Sequence, residues 1–439
     1  MNTRCFPLRG KSSRRSFLKQ TAAAAAVFGT PLVVPSSALG HTPRGSPNNR
    51  IAMGFIGLGN QGGGHLFGGG WTYLTGGYLA RPEVQMLAVC DVWRHKREAA
   101  RQRIDNYCAE EAGKGSYTAC TAYNDFRDLL DRSDIDAVLI GTPNHWHALM
   151  TIMAAKAGKD VYCEKPTAIT VAESLAAAEA LQRYGRVFQA GTQQRSEYGG
   201  KFRRACELVR SGRIGRLQCV YANIGGAEFR WPRGFGTAKP VPEGFDWDLF
   251  LGPAPWSPYG GDSGAFLCDG GNWEQHHYDI VQWGLDADRT GPVEIGTENG
   301  KLFYRFANGV VVYGCVYPGE KVGGSGGACF VGSEGRIAVD RENLVAHPAK
   351  ILQEPLGPDD VHLYECTSHS GNFLECVRTR QRTICDALTA QRAAALPLLG
   401  GIAQRLGRTV HWDPVQQRFP NDTAATALLS APMRPPWHV

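Results

Sequence analysis

A glycine-rich segment that directly follows a short apolar stretch constrains the fold of this chain most strongly. Residues 51–56 are Ile-Ala-Met-Gly-Phe-Ile, and the chain continues as Gly-Leu-Gly-Asn-Gln-Gly. An apolar strand followed by GxGxxG is typical of a dinucleotide-binding βαβ unit, because the glycines allow a tight turn and let backbone N–H groups approach a pyrophosphate. The segment therefore predicts a nucleotide site formed by Gly57, Gly59, Asn60, Gln61 and Gly62.

Strand and helix patterns alternate after this motif. The predicted strands are residues 84–91, 136–141, 160–163 and 186–190, and the predicted helices are residues 93–112, 125–131, 147–158 and 171–184. Such alternation is typical of a parallel, doubly wound sheet, in which ligands bind outside the carboxyl ends of the strands. We therefore predict an α/β fold whose N-terminal Rossmann domain covers residues 51–190.

An acidic residue, Asp91, ends the second predicted strand, where it is expected to bond the ribose diol of the nucleotide and to favour NAD. Arg94 and Arg97 nearby leave NADP open. Asp91 lies farther from the glycine motif than the usual distance of about 20 residues. The surplus residues, 63–81, are rich in glycine and aromatic residues and predict a short helix followed by a loop. Whether this loop covers the active site or packs on the surface stays open.

The net charge of +6 does not indicate a nucleic-acid partner. Segment 1–38 contains six basic residues and no acidic residue, and in the rest of the chain basic and acidic residues are equal in number. Arg14-Arg15 before Phe-Leu-Lys, an Ala-rich apolar stretch and small residues up to Ala38 predict a twin-arginine export signal. We therefore expect a periplasmic or secreted protein without a membrane anchor in its mature form, with residues 39–50 as a linker.

Further motifs lie after the predicted strands and, in one case, towards the end of the chain. They are Thr142-Pro143-Asn144-His145-Trp146-His147, Glu164-Lys165-Pro166, Gly191-Thr192-Gln193-Gln194-Arg195-Ser196 and Asn372-Phe373-Leu374-Glu375. Together with the glycine motif, they resemble the Gfo/Idh/MocA oxidoreductases over roughly residues 50–420. The resemblance implies a C-terminal α/β domain with a large, mostly antiparallel open sheet over residues 191–420, followed by a tail, 421–439. It also implies a homo-oligomer.

The resemblance extends to the site residues. Thr142, Pro143, Asn144, Glu164 and Lys165 stand at strand ends and are expected to contact the cofactor. By resemblance, Lys165 stands beside the nicotinamide and the substrate hydroxyl, where a cation stabilises a developing alkoxide.

A second segment, residues 270–283, carries the other catalytic candidates. His276 matches the family's histidine, a general acid/base, and Asp279 matches a trailing aspartate. On a helix, both would share a face with Asn272, which replaces the family's usual Asp. An amide cannot accept a proton as a carboxylate does, so this departure weakens the prediction of a simple alcohol dehydrogenation at this site.

These features predict an exported NAD(H)-dependent oxidoreductase that acts on a hydroxyl of a sugar, cyclitol or glycoside. Since no free nicotinamide pool exists outside the cytoplasm, we expect a tightly held cofactor that is restored in each cycle. A glycoside hydrolase that works by oxidation, elimination, hydration and reduction stays open, as does a non-catalytic sugar-binding relative.

Two other interpretations concern side-chain clusters. His145 and His147 with His276, His277 and Asp279 contain enough ligands for a divalent metal, but we predict no metal. Aromatic residues between 231 and 259 either stack on sugar faces or fill an interface.

Overall fold

The computed structural model describes residues 49–69, 72–111, 120–222, 226, 237–261, 271–322 and 327–439. The predicted export signal therefore lies outside the described residues, as does most of the predicted linker. The elements given below all belong to one compact unit, Ile51–Val439. Within the described ranges, no helix is both long and apolar enough to cross a membrane.

The first half of this unit is built on a six-stranded parallel sheet. Its strands are β1 (Ile51–Ile56), β2 (Val84–Cys90), β3 (Thr121–Tyr123), β4 (Ala137–Ile140), β5 (Asp160–Cys163) and β6 (Phe188–Ala190). The intervening helices are α1 (Asn60–Phe67), α2 (Arg94–Glu111), α3 (Phe126–Leu130), α4 (His147–Lys156) and α5 (Val171–Arg183). The strand order β3-β2-β1-β4-β5-β6 is that of a Rossmann fold.

The sheet order places the ligand crevice. The chain runs outward from β1 to β2 and β3 and then returns to place β4 on the other side of β1. The carboxyl ends of β1 and β4 therefore flank the topological switch point, where ligands of such sheets bind. All four residues of β4 and β5 are buried, which is why these strands are apolar throughout except for Asp160.

The second half contains an eight-stranded sheet. Its strands are β7 (Leu217–Tyr221), β8 (Glu294–Glu298), β9 (Lys301–Arg305), β10 (Val311–Tyr313), β11 (Ala328–Gly332), β12 (Arg336–Val339), β13 (Leu344–His347) and β14 (Val410–His411). Its order is β13-β12-β11-β7-β10-β9-β8-β14. Neighbouring strands are antiparallel except β7 and β10, which run parallel. The predicted fold class, a Rossmann sheet with a mostly antiparallel second sheet, is confirmed.

Seven helices among the described residues follow β6. They are α6 (Lys201–Arg210), α7 (Trp247–Leu251), α8 (Glu274–Gly284), α9 (Lys350–Gln353), α10 (His369–Thr379), α11 (Ala387–Leu406) and α12 (Thr423–Thr426). Helix α11 packs against both α8 and α5, and residues 275–284 of α8 are all buried. The catalytic candidates on α8 therefore stand on a helix that the core fixes in place.

The glycine-rich insertion, residues 63–81, is partly buried. After α1, its Tyr78 is fully buried and lies edge-on to Phe55 of β1, with ring centroids 5.7 Å apart. Tyr73 is instead 42% exposed, and its ring centroid lies 5.0 Å from that of Tyr198. One part of the insertion thus completes the Rossmann core, while another reaches the segment before α6.

Residues 421–439, expected as a tail, contain α12 and contact the Rossmann half. The ring of Trp437 lies 4.8 Å from that of Trp146, centroid to centroid. Arg434 pairs with Asp248 and donates from its Nε to the carbonyl oxygen of Gly252, 2.9 Å away. This segment therefore secures the region of α7 beside α4.

Candidate active site

The turn between β1 and α1 leaves no room for side chains at two of its glycines. Gly57 has φ +86°, and a Cβ there would lie 2.7 Å from the carbonyl carbon of Gly141. A Cβ on Gly62 would lie 1.9 Å from the carbonyl oxygen of Gly57. A Cβ on Gly59 would instead meet no protein atom within 4 Å. Gly57 and Gly62 hence allow the helix to pack close to the sheet, whereas Gly59 leaves the cleft open.

A cleft of about 460 Å³ opens at this turn. It is lined by residues from the carboxyl ends of β1, β2 and β4, which include Gly57, Gly59, Asn60, Gln61, Asp91, Thr142 and Pro143, and by Trp93, Lys96, Asn124, Phe126, Trp146, Met150, Leu249 and Phe250. The volume lies within the range of small-molecule and cofactor sites. All the predicted cofactor residues of the glycine motif, except Gly62 inside the helix, therefore line one cleft with Asp91.

Asp91 is almost completely buried at the end of β2. Its Oδ2 accepts a hydrogen bond of 2.8 Å from the backbone N–H of Leu58, and its Oδ1 accepts one of 2.8 Å from that of Trp93. A carboxylate has about four acceptor positions, so two remain for hydroxyl donors in the cleft. Bare glycine backbone, a fixed carboxylate and a cleft at the switch point together fit a dinucleotide.

The guanidinium of Arg97, near Asp91, is held by hydrogen bonds to protein atoms. It donates to the carbonyl oxygen of Asp91 and to Oδ1 of Asn124, each 3.0 Å away. The other basic candidate, Arg94, is exposed and lies 3.5 Å from a carboxylate oxygen of Glu243.

His147 joins two of the strand-end segments. Its Nδ1 lies 2.7 Å from the carbonyl oxygen of Pro166, and its Nε2 lies 2.9 Å from that of Thr142. The neighbouring His145 is buried, with its Nε2 3.0 Å from the carbonyl oxygen of Phe250, and burial lowers its pKa to about 4. Both rings therefore position backbone segments around the cleft.

Glu164 lies buried beneath the site. Its carboxylate oxygens lie 2.7 Å from Nε2 of His65, 3.2 Å from Nε2 of Gln193 and 3.4 Å from Nε2 of Gln61. Burial opposes its ionised form, but the hydrogen bond with His65 and the positive charges around the carboxylate, that of Lys165 included, together outweigh burial and lower the pKa of Glu164. His65 was not predicted as a site residue, and Gln193, although it stands in the motif of residues 191–196, was given no role beside Glu164.

Lys165 and Asn272 meet across the two halves of the unit. The ammonium Nζ of Lys165 donates to the amide Oδ1 of Asn272, which lies in the turn before α8. Burial lowers the pKa of Lys165, Arg341 lowers it further, and the negative charge of Glu164 acts against both. A half-buried cation with a depressed pKa is thus held at the carboxyl end of β5.

His276 faces the same group of charges from α8. It is 4% exposed, and its Nδ1 has no hydrogen-bond partner among the described residues. Burial and the positive charges of Lys165 and Arg341 lower its pKa well below the usual value. A neutral imidazole near a cation is available to accept a proton.

Asp279 is bound by an arginine. Its Oδ2 lies 2.9 Å from Nε of Arg195, and its Oδ1 lies 2.7 Å from Nη2. The same guanidinium donates to both oxygens of Asp288, at 2.8 and 2.7 Å. Arg195 and Asp279 are almost fully buried. The structure therefore groups Lys165, Asn272 and His276, whereas the carboxylate of Asp279 is bound by Arg195.

The metal interpretation finds no cluster in the described part of the chain. No group of three or more His, Cys, Asp or Glu side chains there is placed to hold a metal ion. Of the described aromatic residues around α7, most pack inward, whereas Trp256 is 65% exposed. The ring of Phe245 stacks on Trp93 at 3.9 Å, and Phe245, Trp247 and Tyr259 form one buried cluster. Trp231 and Phe235 lie outside the described residues.

Two family models match the chain. One, described as "Oxidoreductase family, C-terminal alpha/beta domain", matches residues 203–439, which is more than half of the chain. The chain belongs to the Gfo/Idh/MocA oxidoreductase family. The second, "Oxidoreductase family, NAD-binding Rossmann fold", matches residues 51–192. As a Gfo/Idh/MocA protein, the chain combines an NAD-binding Rossmann domain with the C-terminal α/β domain of this family.

Curated relatives cover only part of the chain. An inositol 2-dehydrogenase from Salmonella paratyphi B is 33% identical over 31% of this chain and 37% of its own length. A glycosyl hydrolase family 109 protein from Solibacter usitatus is 30% identical over 47% of this chain and 44% of its own length. The chain thus spans less than half the length of these relatives.

A solved structure supports the fold over a longer range. The WlbA dehydrogenase from Bordetella pertussis, in complex with NADH and UDP-GlcNAcA, aligns over 83% of this chain and 99% of its own. The TM-score is 0.52 and the sequence identity is 19%, so this likeness concerns the fold.

Proposed function

We propose that this Gfo/Idh/MocA protein oxidises a hydroxyl group of a sugar, cyclitol or glycoside. The observation that carries the proposal is that Lys165, held by Asn272, and the neutral His276 converge at the carboxyl edge of the Rossmann sheet. NAD, when held by the glycine turn, Asp91 and the segments at Thr142–Asn144 and Glu164, supplies the hydride acceptor. The relative named an inositol 2-dehydrogenase supports a polyhydroxylated substrate.

Lys165 and His276 have different roles in this reaction. The ammonium of Lys165 stabilises the negative charge that develops on the substrate oxygen as its proton leaves. An imidazole nitrogen of His276 takes that proton, because its surroundings keep the ring neutral beforehand. The amide of Asn272 only accepts a hydrogen bond from Lys165, so it orients the cation without taking part in proton transfer. Asp279 serves as a positioning residue for α8 through Arg195.

We propose NAD as the cofactor in preference to NADP. The buried carboxylate of Asp91 favours a ribose diol over a phosphate, and the guanidinium of Arg97 is already bonded to the backbone of Asp91 and to Asn124. Titration of the protein with NAD and NADP in parallel checks this, with tighter binding of NAD expected. Tighter binding of NADP would contradict the assignment.

The proposed reaction is tested by incubating the protein with NAD and a panel of sugars, cyclitols and aryl glycosides. Formation of NADH together with a keto product within a single turnover is the expected result, because a tightly held cofactor must be restored before the next cycle. The family 109 relative favours a second candidate, hydrolysis of a glycoside without net redox change. Release of the aglycone with no accumulation of NADH would support that candidate. Cofactor binding without either product would support a non-catalytic sugar-binding protein.

We further propose that the chain is exported through the twin-arginine route to the periplasm or medium, with its cofactor tightly bound. The charge pattern of residues 1–38 supports export. Cell fractionation with wild type and an Arg14→Lys/Arg15→Lys variant tests the route. Denaturing the purified mature protein and assaying the supernatant for NAD(H) tests retention. A homo-oligomer, expected from the family resemblance, is tested by light scattering.

A further inference from the structure

A second cation, Arg341, was not predicted from the sequence, and its guanidinium lies against Trp273, the residue that follows the Lys165 partner Asn272. Arg341 stands in the hairpin turn between β12 and β13. Asp340 fixes this turn, because its Oδ1 accepts from the backbone N–H groups of Glu342, at 3.0 Å, and Asn343, at 2.6 Å. The backbone that carries Arg341 is thus held by a local hydrogen-bond pattern typical of Asx turns.

The guanidinium of Arg341 is also held in place. Its Nη2 and Nε donate to the amide Oε1 of Gln194, at 3.2 and 3.4 Å. Gln194 is oriented in turn, because its Nε2 lies 3.3 Å from the carbonyl oxygen of His276 and 3.4 Å from Nδ1 of His277. The Cζ of Arg341 lies 4.9 Å from the ring centre of Trp273 and 5.1 Å from that of Tyr198.

The positive charge of Arg341 is not neutralised by the described residues. No carboxylate oxygen among them lies within 4.0 Å of its guanidinium. The two acidic side chains that act on Lys165 are engaged elsewhere. Glu164 is bound by His65, and Glu274 accepts from the backbone N–H of Trp273 at 3.1 Å. Asn272, which replaces the family's usual Asp, places a neutral amide instead of a third carboxylate beside Lys165.

The hydrogen-bond geometry leaves one edge of the guanidinium available. Nε and one hydrogen of Nη2 face Gln194, and Nη1 has no bond within the described residues. The Nη1–Nη2 edge is one of the two edges of a guanidinium that pair with a carboxylate in the bidentate manner, as it does in Arg195 with Asp288. An oriented, half-buried fork next to a second cation is therefore prepared for an anionic group.

We infer that this site takes a sugar that carries a carboxylate, of the hexuronate type, with the carboxylate on the Nη1–Nη2 edge of Arg341 and a ring hydroxyl at Lys165. The inference rests on the proposed function and names the substrate class of the same site. Trp273 and Tyr198, which lie against the guanidinium, limit the directions from which the anion approaches. Gln194 makes Arg341 rigid, so little side-chain entropy is lost on binding.

The test compares methyl hexuronosides, the parent methyl hexosides and hexose 6-phosphates in several ring configurations. Binding to the NADH-loaded protein is measured by calorimetry, and NADH formation is measured separately with NAD. We expect hexuronosides to bind about 10- to 100-fold more tightly than the neutral hexosides, as for a hydrogen bond to a charged group. Arg341→Gln is expected to abolish this preference and Arg341→Lys to retain part of it. Arg305→Gln, in strand β9, serves as the matched control and leaves the preference unchanged.

Several outcomes would overturn the inference. They are equal binding of hexuronosides and hexosides, an equal loss for both classes in Arg341→Gln, and a preference for the 6-phosphates. Failure of the proposed function looks different. Selective binding of hexuronosides without NADH formation from any compound would refute the oxidation and leave the anion subsite standing. Oxidation of neutral hexosides alone would support the oxidation and refute the subsite.

Discussion

The role of Asp279 distinguishes two accounts of α8, and the variant Asp279→Asn tests them. Asp279 is predicted from the sequence to be catalytic, whereas in the structure its carboxylate binds the buried guanidinium of Arg195. Asparagine has nearly the same volume, but its amide NH₂ would face a guanidinium N–H where a carboxylate oxygen now accepts at 2.7 or 2.9 Å. One of two charge-assisted bonds is therefore lost and two donors oppose each other.

The magnitude follows from the burial of the pair. Removing one partner of a buried ion pair costs about 3–5 kcal/mol. Asp288 still binds Arg195, so we expect about 3 kcal/mol, which for a chain of this length is about 4 °C in Tm. Asp288 is 25% exposed and Asp279 is 1% exposed, so Asp288→Asn is the matched control and should cost less.

The assay combines differential scanning calorimetry with turnover of the folded variant. A positioning role predicts a lower Tm for Asp279→Asn and a pH–rate profile of unchanged shape. An unchanged Tm together with a large loss of kcat and an altered pH–rate profile would refute this reasoning and place Asp279 among the proton-transfer groups.

Three further predictions follow from the same contacts. Gly62→Ala should lower Tm, since its Cβ would lie 1.9 Å from a carbonyl oxygen. Gly59→Ala should keep the Tm of the cofactor-free protein and weaken NAD binding, because its Cβ would meet no protein atom within 4 Å. Equal effects of the two variants on Tm and on NAD binding would contradict these two roles. Burial lowers the pKa of His277 to about 3, so the unfolded chain binds the extra proton below its pKa of about 6.5 and stability falls as the pH falls through that value. His277→Asn should therefore reduce the loss of unfolding free energy between pH 7 and 5 by about 2 kcal/mol, measured by denaturant titration, and an unchanged loss would show that the buried ring does not titrate in this way. Glu164→Gln removes a charge that raises the pKa of Lys165, so the alkaline limb of the pH–rate profile should move to lower pH, and no shift would separate Lys165 from that limb.

Most of the fold could be predicted from local sequence patterns. The glycine turn and the strands on either side of it are continuous in sequence, so their apolar runs and flanking turns indicate them directly. The structure shortens several predicted elements by one or two residues at their ends, as for the strand predicted over 84–91, which ends at Cys90. Strand β3 was missed, because three residues carry too little periodicity to indicate a strand.

The site was less accessible to sequence reasoning, because its contacts are long-range. His65 and Glu164 are 99 residues apart, and Arg341 and Gln194 are 147 apart, so no spacing rule links either pair. His277 was named only among the possible metal ligands, yet its Nδ1 lies 3.4 Å from Nε2 of Gln194. The unpaired charge of Arg341 near Lys165 could be recognised only once the fold was known. Resemblance marks the residues that a family shares, and Arg341 lies outside the motifs that carry it.

The most direct test of the central claim separates cofactor binding from chemistry at Lys165. Lys165→Met and, as a control, Lys350→Met at an exposed position are each loaded with NAD and mixed with a compound that the wild type oxidises. NADH formation is followed by its fluorescence, and NAD affinity by calorimetry. We predict that both variants still bind NAD and that NADH formation falls by about 100- to 1000-fold in Lys165→Met alone. NADH formation at the wild-type rate in Lys165→Met would contradict the account.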